Sequence, residues 1–176
     1  MIKKRFITYL ALFLVGCVDV PEGIDPVKSF DPEAYLGTWY EIARLDNRFE
    51  AGMSNVTANY SLNEDGSVKV LNRGFVEDEQ RWEEAEGRAV AVGADDIGHL
   101  KVSFFGPFYS SYIVFELSPD YSYSFVTSND KSLLWFLSRS PLVGESLKQQ
   151  FKDRASELGF SVDEILFVDQ SRQNSQ

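Results

Sequence analysis

One cysteine and one histidine are all that this chain of 176 residues has of the side chains that build disulfides, thiol nucleophiles and imidazole metal sites. A lone cysteine cannot form an intramolecular disulfide. With a single histidine, neither an ordinary zinc ligand set nor a nucleophile–imidazole pair can be assembled. Basic residues are also scarce, with 17 lysines and arginines against 27 acids for a formal charge of −10. That balance argues against nucleic acid as a partner and against electrostatic docking on anionic lipid. No Gly-rich phosphate loop, internal repeat or low-complexity segment is found, and no apolar run reaches the ~20 residues that span a bilayer. The adjacent acids Asp78-Glu79, Glu83-Glu84 and Asp95-Asp96 read as solvated turn or surface positions. Neighbours on a strand point to opposite sides, which does not suit shared acid/base work. His99 starts what reads as an edge-like strand beside Gly98. No catalytic residues, metal or cofactor are expected.

The first residues do carry a pattern. Lys3, Lys4 and Arg5 form a basic head, Phe6 to Val15 an apolar run, and Leu14-Val15-Gly16-Cys17 ends it at the only cysteine. This reads as a lipoprotein signal peptide over residues 1–16, cleaved before Cys17, whose thiol takes the lipid. A plain membrane anchor helix is the weaker reading, because the run is short and Asp19 and Glu22 follow at once. Loss of Lys3, Lys4 and Arg5 takes the charge from −10 to −13. Attachment to a membrane then rests on the acyl chains at Cys17, since several chains hold far more firmly than one. Val18, not an aspartate, follows the cysteine, which favours the outer membrane on its periplasmic face, with Asp19 as the counter-signal. Residues 17–29, with Pro21, Gly23 and Pro26, read as a lipidated tether, and residues 30–172 as one domain.

Within that domain the chain gives short alternating runs bounded by turn residues, the pattern of an antiparallel sheet or barrel. Strands are expected from Gly37, around Val56, from Val68 after the Asn63-Glu64-Asp65-Gly66 turn, and over Trp82 to Val92. His99 to Phe105, Ser111 to Leu117, Tyr123 to Ser128 and Leu133 to Arg139 complete eight. Leu147, Phe151, Ala155 and Leu158 then share one helix face, stopped by Gly159, and Ile165 to Val168 is a last short strand. The expected fold is all-β: an eight-stranded antiparallel up-and-down barrel, one C-terminal α-helix packed outside, and a short closing strand.

Trp39, Glu41 and Ala43 fall on one face of the first strand, and Leu133, Trp135, Leu137 and Arg139 on one face of the last. If the two strands are neighbours, Arg139 lies across the Trp39 ring, a contact worth roughly 0.5–2 kcal/mol. Gly37 permits a close approach beside it. These residues lie within Tyr35-Leu36-Gly37-Thr38-Trp39-Tyr40-Glu41-Ile42-Ala43-Arg44 and Leu134-Trp135-Phe136-Leu137-Ser138-Arg139. With Lys101-Val102-Ser103-Phe104-Phe105-Gly106-Pro107-Phe108-Tyr109, they resemble the lipocalins, the bacterial members above all, over about residues 30 to 170. Gly37, Trp39 and Arg139 stand where that family has its structural signature. The family's middle signature, Thr-Asp-Tyr, is replaced by Ser118-Pro119-Asp120-Tyr121, so no receptor recognition is carried over from animal members. The resemblance implies a carrier of fatty acids or phospholipids, lysophospholipids favoured, in membrane maintenance under stress. It also implies a tendency toward homodimers.

With Trp39 and Arg139 inward, alternation predicts an inner lining of Val56, Ala58, Tyr60, Val68, Val70, Asn72, Leu100, Val102, Phe104, Tyr112, Val114, Trp135 and Leu137. These residues either enclose a cavity for one small ligand or fill the barrel solidly. A fatty acid or lysophospholipid is the ligand expected, with Asn72 and Tyr112 toward its polar end. Glu41 is expected to be a buried partner of Arg139, with headgroup contact as the alternative. The four aromatics around Gly106-Pro107 read either as packing or as a lip touching membrane or a second subunit. Three classes remain: a lipid carrier, an envelope scaffold with a filled barrel that binds a protein, and an enzyme using Glu41 or Tyr112 as acid/base.

Overall fold

The computed structural model describes residues 18–172. The signal peptide and the lipid attachment at Cys17 expected from the sequence lie outside the described residues. A four-residue helix α1 (Pro32–Tyr35) precedes eight strands, β1 (Gly37–Leu45), β2 (Met53–Leu62), β3 (Val68–Val76), β4 (Arg81–Ala91), β5 (His99–Phe105), β6 (Phe108–Leu117), β7 (Tyr123–Thr127) and β8 (Leu134–Ser138). Each pairs antiparallel with the next, and β1 pairs with both β2 and β8, which closes the barrel. Helix α2 (Glu145–Glu157) follows, then β9 (Ile165–Phe167). Strand β9 bonds β1 over Ala43 to Leu45, beyond the stretch Gly37 to Tyr40 that β2 covers. In an up-and-down barrel, successive connections alternate between the ends. The 46–52, 77–80, 106–107 and 128–133 connections therefore share the end opposite α1.

The wall has an apolar cluster on each side. On the outer side Phe125, Phe136 and Phe151 are fully buried, with ring centroids 4.9–5.2 Å apart. They pin α2 against β7 and β8. The helix ends as Gly159 takes φ +79, while Gly159 N donates to Ser156 O and Phe160 N to Ala155 O, satisfying the last carbonyls. Phe160 is thereby turned onto Phe115, 6.0 Å away.

A β-bulge between Glu41 and Ala43 breaks the expected alternation of β1. Ile42 and Ala43 both join the outer cluster, so Ala43 does not share the face of Trp39 and Glu41. The extra residue returns Arg44 to the side of Glu41. His99 does not begin an edge strand either: β5 is bonded to β4 and β6, and a closed barrel has no edge there. Its ring sits 3.2 Å from Ser111 Oγ.

The segment read as a tether is docked on the wall over its described length. Ser111 Oγ donates to Asp19 O, Ile24 is buried in the outer cluster, Val27 N donates to Val114 O, and Gly98 N donates to Val27 O. At Gly98 a Cβ would stand 2.7 Å from Val27 Cγ2, so glycine is what lets the segment lie so close.

Candidate functional site

Asp31 caps α1 by accepting from Glu33 N and Ala34 N, and Pro32 suits the first helical turn. This short helix carries Tyr35 to one end of the barrel. There Trp39 Nε1 donates to Tyr35 O at 2.9 Å, and the two rings are 4.7 Å apart. The Arg139 guanidinium lies 3.9 Å from the Trp39 ring centroid on the expected stack. It also donates to Ala34 O, Thr38 O and Tyr121 O, tying α1, β1 and the β6–β7 turn together. Gly37 suits its φ of +93, and a Cβ there would stand 3.3 Å from Arg139 Nη1, so the guanidinium would have to give by a few tenths of an ångström. Tyr121, from the tetrapeptide that departs from the expected middle signature, accepts from Asp31 N at 2.8 Å.

Above this closed end three phenols converge, those of Tyr35 and Tyr60 buried and that of Tyr112 partly buried. Tyr112 Oη is 2.9 Å from Tyr35 Oη and 3.0 Å from Tyr60 Oη, and Tyr35 Oη also meets Ser124 Oγ at 2.9 Å. Burial pushes the Tyr35 hydroxyl up to about 12, opposed by its bonds to Ser124 and Tyr112, and pushes Tyr60 and Tyr112 up as well. All three stay neutral hydrogen-bonding groups at ordinary pH.

Beyond the phenols the barrel is hollow. The cavity measures about 120 Å³ and opens toward solvent. Of the thirteen residues expected on the inner face, Val56, Ala58, Tyr60, Val68, Val70, Asn72, Leu100, Val102, Phe104, Tyr112, Trp135 and Leu137 line this void. Val114 does not: it is fully buried beside Gly98 and the docked segment, out of reach of the cavity. Phe104 is seated inward by Gly87, where a Cβ would come within 2.8 Å of the ring. Its neighbours differ, since Phe105 and Phe108 are 79% and 68% exposed. Packing therefore accounts for Phe104 and not for those two. Exposed Phe49 belongs to the same end of the barrel.

Reasoning from the sequence missed Phe30, Pro32, Tyr35, Leu36, Glu50, Thr57 and Ala89 in the lining. Asp31-Pro32-Glu33, a cap followed by proline, was the signal for α1 and so for Tyr35. Glu50 comes from a loop without periodicity.

Glu41 is not paired with Arg139. Its Oε1 accepts from Arg44 Nη1 at 2.6 Å, and both side chains are buried. The bulge brings Arg44 beside Glu41, whereas Arg139 lies at the closed end on Trp39. Burial, then the nearby Glu50 charge, push the Glu41 carboxyl well above the usual carboxylate range, with Arg44 opposing. Glu50 Oε2 accepts from Trp135 Nε1 at 3.0 Å and Asn47 Nδ2 at 2.8 Å. Elsewhere the acid pairs sit on the surface, Glu79 and Glu83 against Arg81 and Glu84 against Arg73. Among the described residues no cluster of histidine, cysteine, aspartate and glutamate could hold a metal ion.

A family profile described as a lipocalin-like domain matches residues 30–170. The chain belongs to the lipocalin family. This lipocalin is 46% identical over 169 residues to the outer membrane lipoprotein Blc of Vibrio cholerae, covering 96% of this chain and 99% of that protein. It is 44% identical over 162 residues to the protein of the same name in Escherichia coli K12, covering 91% and 92%. Among solved structures, insecticyanin from the tobacco hornworm superposes with a TM-score of 0.69 at 20% identity, covering 88% of each chain, a likeness of fold alone.

Proposed function

We propose that this lipocalin is a lipid-binding lipoprotein of the outer membrane. It is anchored through Cys17, faces the periplasm, and stores or transports a fatty acid or lysophospholipid in envelope maintenance under stress. The observation that carries the reading is the apolar void inside a closed barrel, floored by Tyr35 and walled by Val56, Val70, Leu100, Val102 and Phe104. Burying an acyl chain of about sixteen methylenes at ~0.8 kcal/mol each gives roughly 13 kcal/mol before ordering costs, enough for micromolar binding or better. Supporting the anchor and its location are the Leu14-Val15-Gly16-Cys17 sequence and the name outer membrane lipoprotein that the Vibrio and Escherichia relatives bear. A barrel mouth with exposed Phe49, Phe105 and Phe108 suits a protein held beside a lipid surface. A solid barrel serving as a scaffold would need this void filled, and an enzyme would need a reacting group that the phenols and the Arg44-bound Glu41 do not supply.

The test fills the void. Val102→Trp and Ala58→Trp should each weaken lysophosphatidylcholine and oleate binding by more than ten-fold while circular dichroism and the unfolding midpoint stay near wild type. Unchanged affinity in both folded variants would reject the barrel interior as the binding site.

A further inference from the structure

Resting on the anchor at Cys17 and on the carrier reading, we infer that the protein sits mouth-down on the bilayer. Phe49, Phe105 and Phe108 enter the phospholipid interface, and the bound lipid is exchanged by direct contact with the membrane. The direction of the docked N-terminal segment carries this. Asp19 O accepts from Ser111 Oγ on β6, and eight residues later Val27 N donates to Val114 O. Phe30 N then donates to Asp96 O, and α1 follows at the closed end. The segment therefore runs from the mouth side of the wall toward the closed end. Ser111 is three residues from Phe108 at the mouth and six from Leu117 at the other end of β6, about 10 and 20 Å at 3.3 Å per residue. Two residues separate Cys17 from Asp19, at most about 7 Å of chain. Ile24, buried in the outer cluster, and the backbone bonds of Val27 hold the segment at that height. Acyl chains on Cys17 thus reach a bilayer at the mouth more readily than one at the closed end.

The surface at that end fits the same occupant. Phe105 pairs with Phe108 across Gly106-Pro107, and both rings stand in solvent, as does Phe49. A cation lies beside each tip: Arg48 is 4.8 Å from the Phe49 ring, and Lys101 is 5.2 Å from the ring of Tyr109, next to Phe108. Apolar rings with a cation alongside suit the boundary between acyl chains and phosphates. The two tips stand on connections half a barrel apart, so they are separated points and not the continuous face, about 800 Å² a side, that a stable dimer buries. Glu77, Asp78 and Glu79 on the connection between them oppose anionic lipid, which leaves zwitterionic phospholipid as the surface met. With the mouth on the bilayer, a lipid passes between membrane and cavity without carrying its acyl chain through water.

Lipid on the sole cysteine leaves no free thiol, so Phe49→Cys, Phe105→Cys and Glu64→Cys each give the lipidated protein one site for a nitrobenzoxadiazole label. Glu64 is exposed in the β2–β3 turn at the closed end. On vesicles of phosphatidylcholine and phosphatidylethanolamine, labels at 49 and 105 should shift to the blue and be quenched by doxyl-phospholipid, while the label at 64 stays aqueous. Transfer of a fluorescent lysophosphatidylcholine to the vesicles should quicken in proportion to vesicle concentration. Phe105→Ser combined with Phe108→Ser should slow it about five-fold or more and leave affinity in solution within about two-fold. Aqueous labels at both tips of vesicle-bound protein, or a label at 64 quenched as fully as that at 105, would overturn the orientation. A transfer rate independent of vesicle concentration would overturn contact exchange. Protein that does not float with the vesicles would overturn the anchor as well, and failure of lysophosphatidylcholine to bind in solution would overturn the carrier reading.

Discussion

The strands of this barrel separate two apolar clusters that the same alternation creates and that end up in opposite conditions. On the outer side Ile113, Phe125, Leu134, Phe136 and Phe151 have no exposed surface, because α2 and the docked 19–29 segment cover them. On the inner side Val68, Val102, Phe104, Tyr112 and Trp135 are only partly buried, although no helix or loop stands between them and the barrel axis. What they lack is a partner on the far side. Hydrophobicity and period are alike on both faces, so the hollow side is identified by missing packing rather than by composition.

Breaking the filled face should have the largest effect. Phe136→Ala removes a ring in contact distance of Phe125 and Phe151, and the lost burial and residual cavity should lower stability by about 3–5 kcal/mol in a denaturant titration. Next is the closed end. Arg139→Ala forfeits the Trp39 stack and donors to three carbonyls, and should cost about 3 kcal/mol, with Arg139→Lys recovering part of it. The two faces are compared directly by adding carbon to each. Ala155→Leu overfills the contact of α2 with the wall and should cost about 1–3 kcal/mol, whereas Ala58→Leu points into the void and should stay within about 0.5 kcal/mol.

The smallest effect concerns His99. Burial holds its imidazole below the ordinary value of 6.5, so the unfolded chain takes up a proton that the folded chain resists. Stability should therefore fall as pH drops through 6.5 and level off below the lowered folded value. His99→Gln should remove that component of the slope, and proton NMR of the single imidazole would give its folded titration directly.

Much of this arrangement was legible in the sequence. Alternation along β2, β3, β5 and β8 picked residues that line the cavity, although a register shift in β2 brings Thr57 to it as well. It failed at β1, where the bulged pair Ile42 and Ala43 is apolar at both positions and leaves no trace in the pattern. That one slip hid Arg44 and misassigned the partner of Glu41 to Arg139. Val114 obeyed the parity and still missed the cavity, since height along the barrel depends on what plugs the closed end. Tyr35 depended on a four-residue helix whose cap and proline were readable but whose length gives no periodicity. Docking of the 19–29 segment rests on Ile24 and Val27, two apolar residues among prolines and glycines, a signal too sparse to separate from a loose linker.

The central claim is that the inner face is hollow in order to hold a lipid. The most direct measurement expresses residues 18–176 without the lipid anchor, removes bound lipid, and titrates the folded protein with lysophosphatidylcholine and with oleate while following tryptophan fluorescence, to which Trp135 in the lining should respond. Saturable one-to-one binding at micromolar or lower concentration is the predicted result. Absence of binding by either lipid, in protein whose circular dichroism shows the barrel intact, would contradict it.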